Sequence, residues 1–301
     1  MHSVVLVCLP SDTRPEDIEA AVADALLPYS MEAVVDPWLD YQTGPPHEHW
    51  SVHDRGLPAG TTWAQVARLR NEAYPGQSPM LVDDDGHAYV VATYNPHGEW
   101  DWYQIGGRWS GYFPCRPQAD GDPRLVAGSR SWTNEDQAAE PLTCDGGPLR
   151  LLDLDAMRRR KGDEAAALYD LWESAVRGLP AAQPLSHFLE RHQADPDAYS
   201  RDEACDDYRA QPAVAAVAGV PALPMMDPVG YFAAGREACV REARAGAVAG
   251  AVLLTLEGAW IERPWGLETP EPAETAYVER VTAYLEGLDP DAYVICVDCH
   301  S

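Results

Sequence analysis

The chain has 301 residues, with 22 Lys or Arg against 48 Asp or Glu, a formal charge of −26 with histidine neutral. At 46% hydrophobic and 23% charged residues it can bury a core and is not an acidic disordered tail. The negative field excludes nucleic acid and anionic membranes as non-specific partners, since both need a basic footprint. No apolar run nears the roughly 20 residues that cross a bilayer.

Met1-His2-Ser3 leads straight into a strand-like run, without the charged region and small-residue cleavage site of a signal peptide. A soluble, cytoplasmic protein is expected. Seven cysteines, scattered and odd in number, read as reduced thiols in a reducing compartment. Only Cys296 and Cys299 lie close together, and their spacing falls inside a strand-like run, where neither a redox motif nor a zinc knuckle fits.

In chain order, residues 3–9 predict a strand. Asp12 or Thr13 caps a helix with Pro15, Glu16 and Asp17 in its first turn, and Ile18, Ala21, Val22, Ala25 and Leu26 form its apolar face. Pro28 stops that helix, and 33–35 begins a second strand. Residues 36–60 have loop composition. Thr61 or Thr62 opens an amphipathic helix, and residues 80–82 and 87–93 flank Asp83-Asp84-Asp85-Gly86 as a β-hairpin. Residues 114–148, rich in Pro, Gly, Asp and Ser, predict an irregular excursion. Helices are expected near 153–178, 184–193 and 200–210, a linker over 211–228, and a helix over 229–247. A strand or hairpin over 252–261, a helix over 273–288 and a strand over 291–300 end the series.

A β-α-β unit thus opens the chain and another closes it. The economical packing is one α+β domain, a mixed sheet of ferredoxin-like character with helices on one face. Residues 1–113 form its N-terminal half with a Trp-rich site, 114–228 a loop and helical insertion, and 229–301 the C-terminal half.

Chemistry concentrates in Asn95-Pro96-His97-Gly98-Glu99-Trp100-Asp101-Trp102-Tyr103-Gln104-Ile105-Gly106-Gly107-Arg108-Trp109-Ser110-Gly111. Aromatics stack on rings or sugars, an Arg offers a fork for carboxylate or phosphate, and a Gly-Gly pair brings backbone N–H groups close. Six of the ten tryptophans fall between Trp38 and Trp109. Trp100, Trp102 and Trp109 would frame a pocket with Asn95, Arg108 would clamp an anionic group, and Asp101, with Tyr103 or His300, would handle protons. The competing reading is a satellite core, with Asp101 and Arg108 as structural ions.

The same segment resembles an uncharacterised family of tailed-phage and bacterial proteins with an Asn-Pro…Trp-Asp-Trp-Tyr…Gly-Gly-Arg-Trp signature. Its counterparts here are Asn95-Pro96, Trp100 to Tyr103 and Gly106 to Trp109, with Pro28-Tyr29, Gly258-Ala259-Trp260 and Asp298-Cys299-His300 matching flanking motifs. The resemblance implies a shared fold and site and carries no reaction. The chain departs from it at Glu99, where the family has a basic residue, at Ser30-Met31-Glu32, and at Arg263-Pro264-Trp265-Gly266.

Two further clusters qualify. On a strand Asp298 and His300 share a face and can act as acid–base partners or hard metal ligands, whereas Cys299 points away; a frayed polar strand end is the alternative. His47, His49 and His53 could supply three imidazoles to zinc, or form a solvated loop. Arg158-Arg159-Arg160-Lys161, the only basic run, is expected to pair with neighbouring acids.

Lys161 is the only lysine, and the phosphate-loop, dinucleotide, nucleophile-elbow and His-Glu-x-x-His motifs are absent, so no cofactor is expected. Two readings stand. One is an enzyme acting on a small polar or anionic molecule, such as a nucleotide or amino-acid derivative. The other is a non-catalytic, phage-related binding or accessory protein whose Trp-rich surface meets a protein partner.

Overall fold

The computed structural model describes residues 1–127, 142–220, 222–223, 226–264 and 271–301. Its α+β chain divides into two compact units, Met1–Ala25 with Tyr103–His300, and Leu26–Trp102.

In the first unit, β1 (His2–Leu9) is followed by α1 (Ile18–Leu26), which runs to the unit boundary. The second unit holds β2 (Trp38–Tyr41), α2 (Trp63–Ala73), β3 (Met80–Val82) and β4 (Ala88–Ala92). The chain then returns to the first unit through β5 (Trp102–Ile105), β6 (Phe113–Pro114), β7 (Thr143–Cys144) and β8 (Gly146–Pro148). Six helices follow: α3 (Leu154–Val176), α4 (Leu185–Ala194), α5 (Arg201–Arg209), α6 (Pro212–Val217), α7 (Pro228–Phe232) and α8 (Arg236–Gly246). The hairpin β9 (Val252–Leu254) and β10 (Trp260–Glu262), then α9 (Glu271–Gly287) and β11 (Tyr293–His300), complete it.

The main sheet runs β10-β9-β1-β11-β5, with β8 also on β11. β1 and β11 pair antiparallel over eight residues, from His2 opposite His300 to Leu9 opposite Tyr293. Both strands are near-continuous apolar runs because both faces are covered. Leu6, Cys8, Val294 and Cys296 face a core with Phe113, Leu152, Met157, Tyr277 and Val281, while Val5, Val7, Ile295 and Val297 on the opposite face are fully buried too. Residues on both faces of this strand pair are therefore out of solvent.

One correction concerns the opening β-α-β unit. No strand forms over 33–35, where Val34 is 99% exposed. A 3-10 turn follows α1 at Leu27–Tyr29, and the parallel mate of β1 is β9, from far along the sequence. Ferredoxin-like character is not confirmed, because a split β-α-β keeps its parallel strands apart and here β1 and β9 are neighbours.

The helices follow their sequence signals closely. Asp153 caps α3, and Ser200 with Glu203 forms a capping box on α5. The run Arg158–Lys161 pairs with Asp153, Asp155, Glu164 and Glu286. Within the expected linker 211–228, α6 buries Ala213, Val214 and Val217 behind Pro212 at its first turn. The helix expected over 229–247 breaks into α7 and α8 at Gly235, where φ is +82°. Within the excursion expected over 114–148, β6 pairs with β7 and β8 with β11; residues 128–141, like Trp265-Gly266, lie outside the described residues.

In the second unit, β2 and β3 flank β4, and Met80 and Ala88 pack on Val66 and Ala67 of α2. Thr62 and Gln65 cap α2 reciprocally. Asp83 accepts the N–H groups of Asp85 and His87, which makes the three-Asp run the predicted hairpin turn.

Candidate functional site

The signature segment crosses from the second unit into the first. In the second unit it is a fastening. The buried Asn95 amide donates to Pro28 O at 2.7 Å and Ser30 O at 2.9 Å, while its Oδ1 accepts from His97 N. Trp100, 9% exposed, donates its indole N–H to Leu26 O at 3.1 Å, and its own carbonyl accepts from Met31 N. Pro28 and Asn95, far apart in sequence, thus meet. Asp101 is exposed and Trp102 is 41% exposed.

The three-imidazole set is not formed: among the described residues no three His, Cys, Asp or Glu come together to hold a metal. The His49 nitrogens meet Ser51 Oγ and Gln42 Oε1, and those of His53 meet Trp50 O and Asp54. His47 Nε2 lies 3.5 Å from Glu48. Local hydrogen bonds have used most of these nitrogens.

In the first unit the segment becomes a tight turn seated on two carboxylates, Asp145 and Asp298, both fully buried. Gly106, at φ +68°, would place a Cβ 1.8 Å from Asp145 Oδ2, and Gly107, at φ +51°, would place one 2.5 Å from Asp298 Cβ. Only glycine fits at either position. Asp145 Oδ1 accepts from Gly111 N at 2.5 Å, and its Oδ2 from Ser110 Oγ at 3.3 Å. Asp298 Oδ2 accepts from Arg108 N at 3.1 Å.

The other oxygen of Asp298 lies 2.8 Å from His2 Nδ1, on a side chain 21% exposed. A carboxylate only accepts, so this contact puts the imidazole proton on Nδ1 and makes Nε2 the basic nitrogen. The β1–β11 register sets His2 opposite His300, their rings 4.8 Å apart and edge-on at 61°. Asp298 and His300 share a face as the sequence suggested, and the strand end is ordered by its pairing with β1 instead of frayed. Arg108 is exposed, and its guanidinium has no ion-pair partner among the described residues. Trp109 is half-buried against the main core.

Cys299 faces the other way, and its thiol is pushed up to about 12 by burial and then by the charge of Asp298. Tyr103 is raised by burial and then by Cys299 and Glu19. It lines a cleft of about 530 Å³ with Gln104, Pro15, Glu16, Ile18 and Glu19. Cys296, on the Asp298 face, is raised well above its ordinary value by burial, and its thiol stays protonated.

Sequence reasoning missed His2 and Asp145. His2 precedes the first apolar run and carried no signal of its own; the register of β1 on β11 is what lays residue 2 beside residue 300. Asp145 precedes Gly146-Gly147 in loop composition and carries no periodic signal.

No family model, curated protein or solved structure matches the chain.

Proposed function

We propose that the chain is an enzyme acting on a small polar or anionic molecule, with proton transfer centred on His2. The observation that carries this reading is the fully buried Asp298 carboxylate holding the partly exposed His2 imidazole at 2.8 Å, beside a second imidazole. A buried carboxylate behind an imidazole fixes its tautomer and its orientation, which general acid–base work requires. His300 serves as the second proton carrier. Arg108, whose backbone shares the Asp298 carboxylate with His2, supplies a cation for a carboxylate or phosphate.

In a chain of charge −26, two imidazoles and the Arg108 guanidinium, which has no ion-pair partner among the described residues, favour an anionic group. The cleft beside Tyr103 is lined by none of His2, His300 and Arg108, so the imidazole pair and Arg108 alone carry the proposal. The resemblance to tailed-phage and bacterial proteins supports a shared site, because Arg108 and His300 both stand in its motifs.

A thermal-shift screen of phosphorylated and carboxylated metabolites tests the proposal. A ligand at a hundred times its Kd adds about 2.7 kcal/mol, and R108A should remove that gain. His2→Asn should keep binding and abolish turnover. A ligand whose stabilisation is indifferent to both Arg108 and His300, or a screen in which no anion stabilises the protein, overturns the proposal.

A further inference from the structure

The three-stranded sheet of the second unit buries one face and leaves the other open. Its register pairs Leu39 with Val91 and sets Tyr89 opposite both Tyr41 and Leu81, so these five side chains project from one face. The alternate set, Met80, Val82, Ala88 and Val90, packs with α2. A sheet with one solvated face ordinarily carries polar residues there. Here Leu39 is 48%, Tyr41 47%, Leu81 43% and Val91 42% exposed, and the rings of Tyr41 and Tyr89 lie 5.5 Å apart. A contiguous apolar patch of this kind marks an interaction surface.

Charge identifies the occupant. Residues 26–102 hold eleven Asp or Glu against three Arg. The exposed Asp84 and Asp85 stand in the turn beyond one end of β3 and β4, and the exposed Asp36 precedes β2 at the opposite end. Arg68 and Arg70 lie on α2, which packs on the other face. A second copy would bring the same acids to the same rim, whereas a basic partner would neutralise them. We propose that this sheet face docks a basic protein segment whose apolar side chains cover Leu39, Tyr41, Leu81, Tyr89 and Val91 and whose Lys or Arg residues meet the acidic rim. This surface is independent of the His2–Asp298 pair.

The probe is a twelve-residue synthetic peptide alternating Leu with Lys, titrated calorimetrically into the full chain, with a Leu–Glu counterpart as control. The Leu–Lys peptide should bind and the Leu–Glu peptide should not. The double variant L39T/V91T keeps strand-favouring branched residues and unchanged charge, so it should fold with an unaltered circular dichroism spectrum and bind at least tenfold more weakly. Y41S repeats the test at a second position. Absence of binding, equal binding by the native chain and both variants, or a sedimenting dimer that L39T/V91T dissolves would each overturn the proposal, the last by making a second copy the occupant.

Discussion

The two halves of the signature segment are fixed by opposite chemistries. Around Asn95 and Trp100, neutral side-chain donors satisfy the backbone carbonyls of Leu26, Pro28 and Ser30. Around Gly106 to Gly111, backbone N–H groups satisfy two buried carboxylates. An amide or indole can be lost at the cost of an unpaired carbonyl. A carboxylate stripped of its donors leaves buried charge, so the glycine turn is the less forgiving half and the one suited to holding a charged group in place.

The sharpest way to break this contrast is G106A. It forces a side chain into a left-handed backbone and into Asp145, and should cost about 4 kcal/mol or more in urea unfolding, or yield no folded protein. Next, Asp145→Ala leaves the Gly111 N–H and Ser110 hydroxyl without their acceptor and should cost about 3 kcal/mol by the same measurement. On the other half, Asn95→Leu keeps the volume but takes the side-chain partner from Pro28 O and from His97 N–H, while Ser30 O keeps Ala33 N–H, for about 2 kcal/mol. A cost at Asn95 above that at Asp145 would reverse the ranking.

The smallest effect at neutral pH separates the halves by titration. Burial, with Glu257 beside Cys8 and Asp298 beside Cys299, pushes both thiols from an ordinary value of 9.0 to about 12. In the unfolded chain these thiols lose protons first, so the stability present below pH 9 falls as pH rises toward 12. The Leu26–Trp102 unit has no cysteine. Hydrogen exchange at pH 8 and 10 should show loosening in the turn-bearing unit, reduced in the C8A/C299A variant. Equal loosening around Asn95 would remove the contrast.

Much of this was readable in the residues. Capped helices such as α2, α3 and α5 announced themselves through Thr62, Asp153 and Ser200, and the Asp83 hairpin through its turn chemistry. The pairing of β1 with β9 was hidden because nothing local to either strand specifies a partner 247 residues away, as Val5 is from Val252; packing chooses it. The aromatic density around Trp100 read as a pocket, yet an indole N–H bonded to a carbonyl at Leu26 is a fastening. His300 and Arg108 stood in view, whereas His2 and Asp145 became visible only once tertiary register placed them.

The union of β1 with β11 also governs how the molecule comes into being. A bond such as that between His2 and Asp298 spans 296 positions, and closing so large a loop must precede any reward from it. During synthesis β1 leaves the ribosome long before its central neighbour exists, an apolar ribbon without a mate and exposed to aggregation. The formal charge of −26 sets repulsion between copies of the chain against that risk.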